Sequence, residues 1–435
     1  MRNKRLQSQV TAGRWTLPAV IFICALCWVL TYFLFPGSIA STVLEGSPSA
    51  WQPARDFLLP GWADRIVSFL IYATIGYFLI ELNNQFSIIR MRASMQTAIY
   101  FLLVTVCPKM HYLYTGDIVA LGFLISIYFL FKSYQQTQAA GYLFYSFFFI
   151  GAGSILFPQF TILSVLWLLE AYRFQSLTPR SFCGALLGWM LPYWMLFGHA
   201  FFYNEMELFY RPFNQLLAFG EVFNLQILQP WELAILGYLL VMFIVSAVHC
   251  IAAGFEDKIR TRAYLQFLID LTLFLFLLIA LQPIYCSALL PLLIISNSIL
   301  IGHFFVLTNS KSSNVFFIIS LVGLILLICF LIYGRFCRFN DTTPHRMGTS
   351  GIIHLGFIGW EHRAFQFRTG TGGLGEARPA PDSLSDIRHS RQYSRRNDLL
   401  LHGTSGQNQL DREIFQGKER ESRQNGENSC KEKEH

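Results

Sequence analysis

Residues 264–308 read YLQFLIDLTLFLFLLIALQPIYCSALLPLLIISNSILIGHFFVLT, and this stretch decides the fold. It holds two apolar runs, Tyr264–Leu281 and Cys286–Thr308, with Asp270 as the one formal charge across both. A bilayer core of about 30 Å takes roughly 20 apolar residues per helix. Each run is therefore read as a membrane-spanning helix. The same reading, carried outward, marks further spans at Trp15–Phe35, Ile66–Leu82, Thr97–Cys107, Ile118–Phe131, Tyr142–Phe157, Phe160–Tyr172, Phe182–Phe202, Trp231–Ala253 and Val315–Gly334. The expectation is an all-α, polytopic transmembrane helical bundle of about eleven helices. Thr97–Cys107 and Phe160–Tyr172 are short enough to be half-helices or re-entrant segments. The first span follows Arg2, Lys4, Arg5 and Arg14 and is longer than a signal-peptide core, so it is read as an uncleaved anchor.

Composition agrees and divides the chain. Residues 1–334 carry 30 charged side chains, whereas the 101 residues from 335 onward carry 29. The chain is thus read as a basic N-terminus (1–14), a transmembrane domain (15–334) and a polar, disordered tail (335–435). In the tail, Thr369–Gly375 is glycine-rich but has no P-loop lysine, and it reads as linker. Arg388, Arg391, Arg395 and Arg396 form a basic patch there. The formal charge of +7 is of the size that loop charges produce in membrane proteins, so no nucleic-acid partner is expected. The nine cysteines are scattered. Cys24 and Cys27 form C-x-x-C inside an apolar run without companion ligands, so neither a metal nor a cofactor is expected.

Loop charges set the orientation. With the N-terminus inside, cytoplasmic segments collect thirteen basic residues, from Arg2 to Lys311, and external ones four: Arg55, Arg65, Lys109 and Arg211. That asymmetry predicts a cytoplasmic N-terminus in an inner, or plasma, membrane. Eleven spans would then put the tail outside, against the charges of Arg335 and Arg338.

Three groups of polar residues are candidate sites. Asp56 and Asp64, in the first external segment, would serve as catalytic acids if the chain is a transferase. Arg55, Arg65, Lys109 and His111 would then meet the diphosphate of a polyprenyl-linked substrate, where developing charge needs cations. Arg90 and Arg92 lie in the stretch ELNNQFSIIRMR (81–92), which suits an interfacial half-helix touching phosphates. Within the spans, His249, Asp270 and His303 fall at similar depth near the cytoplasmic side, and Asn297 lies between one and two turns deeper than His303. They form a candidate polar cluster, since intramembrane ionisable groups mark lipid or proton pathways or interhelical contacts. Glu81 and Glu170 end their helices on that side, where water is within reach.

The stretch N-N-x-F-S-I-I-R-x-R, together with the later F-P-Q-F-T segment and the Arg173/Arg180 loop, resembles a family of uncharacterised multi-pass inner-membrane proteins of Bacteroidota-type bacteria. The resemblance runs from about Ile66 to Arg335. It implies location and architecture, with no established activity to carry over. Three functions therefore compete: a protein of envelope biogenesis serving as a membrane scaffold, a glycosyltransferase or polymerase using a polyprenyl-linked substrate at the external side, and a proton-coupled or lipid transporter. Expected partners are membrane lipid, a polyprenyl-linked substrate or other membrane proteins. Whether the chain is an enzyme is left open by its motifs.

Overall fold

The computed structural model describes residues 6–34, 61–89, 94–217, 223–308 and 310–341, and every structural statement concerns these. They are 87% helical, with no strand among them. The helices are α1 (Leu6–Ala12), α2 (Thr16–Leu34), α3 (Gly61–Phe86), α4 (Met95–Val106), α5 (Thr115–Lys132), α6 (Ala140–Leu156), α7 (Leu163–Arg173), α8 (Pro179–Phe202), α9 (Met206–Leu217), α10 (Pro230–Ala252), α11 (Ile259–Leu281), α12 (Cys286–Leu307) and α13 (Lys311–Asp341). Short 3-10 turns at Pro108–His111, Pro158–Ile162, Leu225–Ile227, Gly254–Glu256 and Pro283–Tyr285 make the corners.

The post of the bundle is α12, buried almost continuously from Cys286 to Phe305. A helix apolar on every side belongs inside a larger assembly. Three of its polar residues hydrogen-bond to backbone: Ser296 and Ser298 donate to the carbonyls of Leu293 and Ile295 at 3.2 and 2.8 Å, and Asn297 Nδ2 donates to Leu239 O at 2.9 Å. Contacts along α12 fix the direction of its neighbours. A Cβ on Gly302 would lie 2.9 Å from Gln96 Cα, so the start of α4 crosses the end of α12. Gly116 meets Ala288 and Glu232 meets Ser287, so α5 and α10 start where α12 starts.

The bundle thus has two ends, marked here by Gln7 and by His111. From the Gln7 end run α2, α4, α6, α8, α11 and α13; toward it run α3, α5, the unit 158–173, α10 and α12. That is eleven passages, matching the sequence expectation. Seven helices are long and apolar enough to cross a membrane, and the segments Thr16–Thr31, Met95–Val106 and Ala140–Leu156 are shorter apolar helices. The two segments suspected of re-entering pass from end to end instead. At 1.5 Å per residue, α4 covers only about 18 Å. It can be short because it is almost wholly sheathed by protein, with Met95–Phe101, Leu103, Val104 and Val106 buried. Lipid never measures its length.

The helices at the periphery show the opposite character. Leu187, Trp194, Met195 and Phe201 on α8, and Val315, Ile319 and Leu326 on α13, are exposed large apolar side chains. Continuous apolar surface of this kind suits hydrocarbon, not water. Between α6 and α8 the packing is closest of all. A Cβ on Gly188 would sit 2.2 Å from Phe144 O, and one on Gly151 would sit 2.5 Å from Trp189 O. Small residues let helices approach backbone to backbone where there is no hydrophobic drive between them.

The N-terminal helix α1 closes the Gln7 end. Gln7 is buried, and its amide nitrogen donates to Phe305 O and Thr308 O, both at 2.8 Å. Ser313 Oγ donates to Gln7 Oε1 at 3.1 Å, and Gln7 N donates to Asn314 Oδ1 at 3.0 Å. Since α13 departs from this same end, its far terminus lies at the other. The tail from residue 342, including the basic patch, lies outside the described residues.

Candidate functional site at the His111 end

The first turn of α3 carries Asp64 and Arg65, both buried although they stand at a helix start. They stay buried because the turn Pro108–His111 and its continuation pack over them. Arg65 Nη2 donates to the Tyr112 hydroxyl, and its guanidinium lies 4.4 Å from the centre of the same ring. One turn further, Ser68 Oγ donates to Met110 O at 2.7 Å. Tyr72, another turn along, donates to Asp117 Oδ1. Asp117 Oδ2 accepts from the Tyr114 amide at 3.0 Å and so caps α5, where a carboxylate is favoured by the helix dipole. The spacing 64, 65, 68, 72 is one helical stripe, so a single face of α3 is polar at depth.

His111 stands opposite this stripe. Its ring is 3.9 Å from that of Trp28 between centroids, and its Nδ1 is 3.0 Å from Thr31 Oγ1. Thr31 directs its own hydroxyl hydrogen to Trp28 O at 2.8 Å, so His111 Nδ1 is the donor to Thr31. That tautomer makes Nε2 the basic nitrogen. Tyr114, just before α5, has its phenol pushed up to about 12 by burial, with Asp117 and Glu232 adding to the effect. It remains a neutral hydrogen-bonding group at physiological pH.

Asp64, Arg65 and His111, singled out in the sequence as members of one site, are thus gathered at one end of the bundle. Asp56, Arg55, Arg90 and Arg92 lie outside the described residues, as does the side chain of Lys109. Tyr72, Tyr112 and Asp117 complete the network. Tyr72 escaped the sequence reading, because one tyrosine in an apolar run reads as core. Residues 81–86 continue α3 instead of forming an interfacial half-helix, and Asn83 Oδ1 then accepts from Ile89 N at 2.8 Å to close the helix end.

No protein-family model, curated protein or solved structure matches this chain. What it can do rests on its own geometry.

The intramembrane group at the Gln7 end divides. His249 and His303 face each other across α10 and α12, with ring centres 6.4 Å apart. Cys250 Sγ lies 3.5 Å from His303 Nδ1, and Asp257 Oδ2 lies 3.3 Å from His303 Nε2. Asp270 makes its bonds elsewhere, accepting from Arg173 Nη1 and, at 3.0 Å, from Gln266 Nε2. Asn297 is spent on the Leu239 carbonyl. The expected four-residue cluster is therefore corrected to His249 and His303 joined by Cys250 and Asp257. Equal depth along two helices does not bring residues together unless they also share a facing side. Glu170 differs from expectation too: its side chain is 2% exposed and accepts from Arg173 at 2.8 Å.

Proposed function

We propose that this chain is a transferase of the bacterial inner membrane, acting in envelope biogenesis on a polyprenyl-diphosphate-linked substrate at the His111 end. One observation carries the reading: a buried acid, a guanidinium and an imidazole converge at one end of an apolar bundle, on α3 and the turn before α5. Such groups are expensive at that depth and persist where they serve binding or chemistry. Arg65 would hold a diphosphate oxygen, and Asp64 or His111 Nε2 would take the proton from an acceptor hydroxyl. The acceptor oxygen then bonds to the sugar carbon while the bond from that carbon to the diphosphate breaks, and the polyprenyl diphosphate leaves with its electron pair.

The N-terminus is cytoplasmic in this reading. The alternation of helix ends, derived without reference to charge, supports it: among the described residues, eight of the cytoplasmic basic residues fall at the Gln7 end, and Arg65, Lys109 and Arg211 at the His111 end. A proton relay through Asp270 and His303 has less support, because Asp270 is engaged with Arg173.

The deciding experiment is native mass spectrometry of the full chain in detergent with undecaprenyl diphosphate. Retention of the lipid, weakened at least about tenfold by Arg65→Gln but unchanged by Arg211→Gln, is expected for a charge-assisted contact. Equal retention by both variants, or none by the native chain, would overturn the proposal. A scaffold would then be the better reading, read out by a co-purifying membrane protein.

A further inference from the structure

We infer that His249, Cys250 and His303 form a zinc site at the Gln7 end, with Asp257 as its outer carboxylate. One ligand atom from each of the three residues lies within 4.8 Å of the other two. Zinc bonds of about 2.3 Å to sulfur and 2.0–2.1 Å to nitrogen, set tetrahedrally, separate those ligand atoms by about 3.5 Å. Cys250 Sγ and His303 Nδ1 are already 3.5 Å apart. His249 needs only a small ring movement to close the set.

The second observation is the far side of the His303 ring. Nε2 faces Asp257 Oδ2 at 3.3 Å, and the side chains are 1% and 3% exposed. A metal-bound histidine commonly donates its other N–H to a carboxylate, which fixes the tautomer and raises the basicity of the ligating nitrogen. Here that arrangement leaves Nδ1, the nitrogen beside the thiol, to bind the ion. A simple thiol–imidazole hydrogen bond would require none of the other two residues.

The fold holds these groups from three directions. His249 and Cys250 come from the last turns of α10, His303 from the buried end of α12, and Asp257 from the corner after the turn Gly254–Glu256. The close crossing at Gly302, next to His303, fixes that part of α12 against α4. A thiolate and two imidazoles favour zinc over magnesium or calcium, which take oxygen ligands. Binding replaces the thiol proton with the metal and releases it to solvent. Three protein ligands leave a tetrahedral ion one position for water or an incoming ligand. The sequence conceals the site, because 53 residues separate Cys250 from His303 and Cys250 reads as a small apolar residue.

The test uses the full chain in detergent, stripped with chelator and reloaded with Co²⁺ or Zn²⁺. The expected result is one zinc per chain by elemental analysis and, with cobalt, a thiolate-to-cobalt charge-transfer band. Cys250→Ser should abolish the band, whereas Cys27→Ser should keep it, which separates this site from the C-x-x-C of α2. Asp257→Asn should retain the ion with affinity lowered about 10–100-fold. A native chain without the band, or a band that survives Cys250→Ser, overturns the inference. The cobalt spectrum of the native chain decides even where a variant fails to fold.

Discussion

The side-chain amide of Gln7 donates to the backbone carbonyl of Phe305 at 2.8 Å, across 298 positions of sequence. The same amide reaches Thr308, and its carbonyl accepts from Ser313, so one glutamine satisfies the corner between α12 and α13. A buried polar group that loses its partner costs about 1–3 kcal/mol. Gln7→Ala is therefore expected to lower stability by that amount, seen as an earlier midpoint in a thermal-denaturation assay of the detergent-solubilised chain. An unchanged midpoint would mean that water replaces the glutamine without loss.

The seam between α6 and α8 gives a sharper contrast. Gly188→Leu forces a Cβ to within 2.2 Å of the Phe144 carbonyl, whereas Gly198 on the same helix has open space around it. Gly188→Leu should abolish monodisperse material in size-exclusion chromatography, and Gly198→Leu should leave it intact.

Tyr72→Phe removes the hydroxyl that binds Asp117 and nothing else of size. Asp117 then keeps only the Tyr114 amide among its two side-chain hydrogen bonds given above. A destabilisation of about 1–3 kcal/mol is expected. Tyr77→Phe, on the exposed side of α3, should be neutral in the same melt.

Arg173 serves two acids unequally. Its side chain is 53% exposed, and Asp270 is 25% exposed, so Asp270→Asn should change stability by less than about 1 kcal/mol. Arg173→Gln strips a cation from Glu170, which is 2% exposed, and should cost more, up to about 3 kcal/mol given the partial exposure of the arginine. Equal effects from both substitutions would contradict this ranking.

Orientation can be read with reporter fusions. Fluorescent protein joined after Gln136, between α5 and α6, should fluoresce in the cytoplasm. Alkaline phosphatase joined after Asn204, between α8 and α9, should be active outside. The reverse pattern would place the His111 end in the cytoplasm and remove access to an external substrate.

Most of the bundle was legible in the sequence because hydrophobic run length is a direct measure of bilayer thickness. All eleven apolar runs became passages through the bundle. The amphipathic helix α9 was hidden: Pro212 and the charges Glu207 and Arg211 make residues 203–230 look like loop, although Met206, Phe209, Phe213 and Leu216 recur at helical spacing. Site residues were legible only where they were ionisable and close in sequence to a loop. Asp64, Arg65 and His111 met that condition. Asp257 did not stand out, since it lies beyond the apolar run next to Lys258, and only the turn at Gly254 folds it back onto His303. Asp270 was misplaced because depth along a helix is periodic information without rotation between helices.

The Gln7 contact also fixes an order of events during synthesis. Gln7 leaves the ribosome first, and its acceptors follow 298 residues later, roughly 15–60 s at usual elongation rates. Until then α1 has no partner at the α12–α13 corner. A fragment that stops short of Phe305 lacks this acceptor, so α1 stays undocked in it while the helices before α12 can already pack.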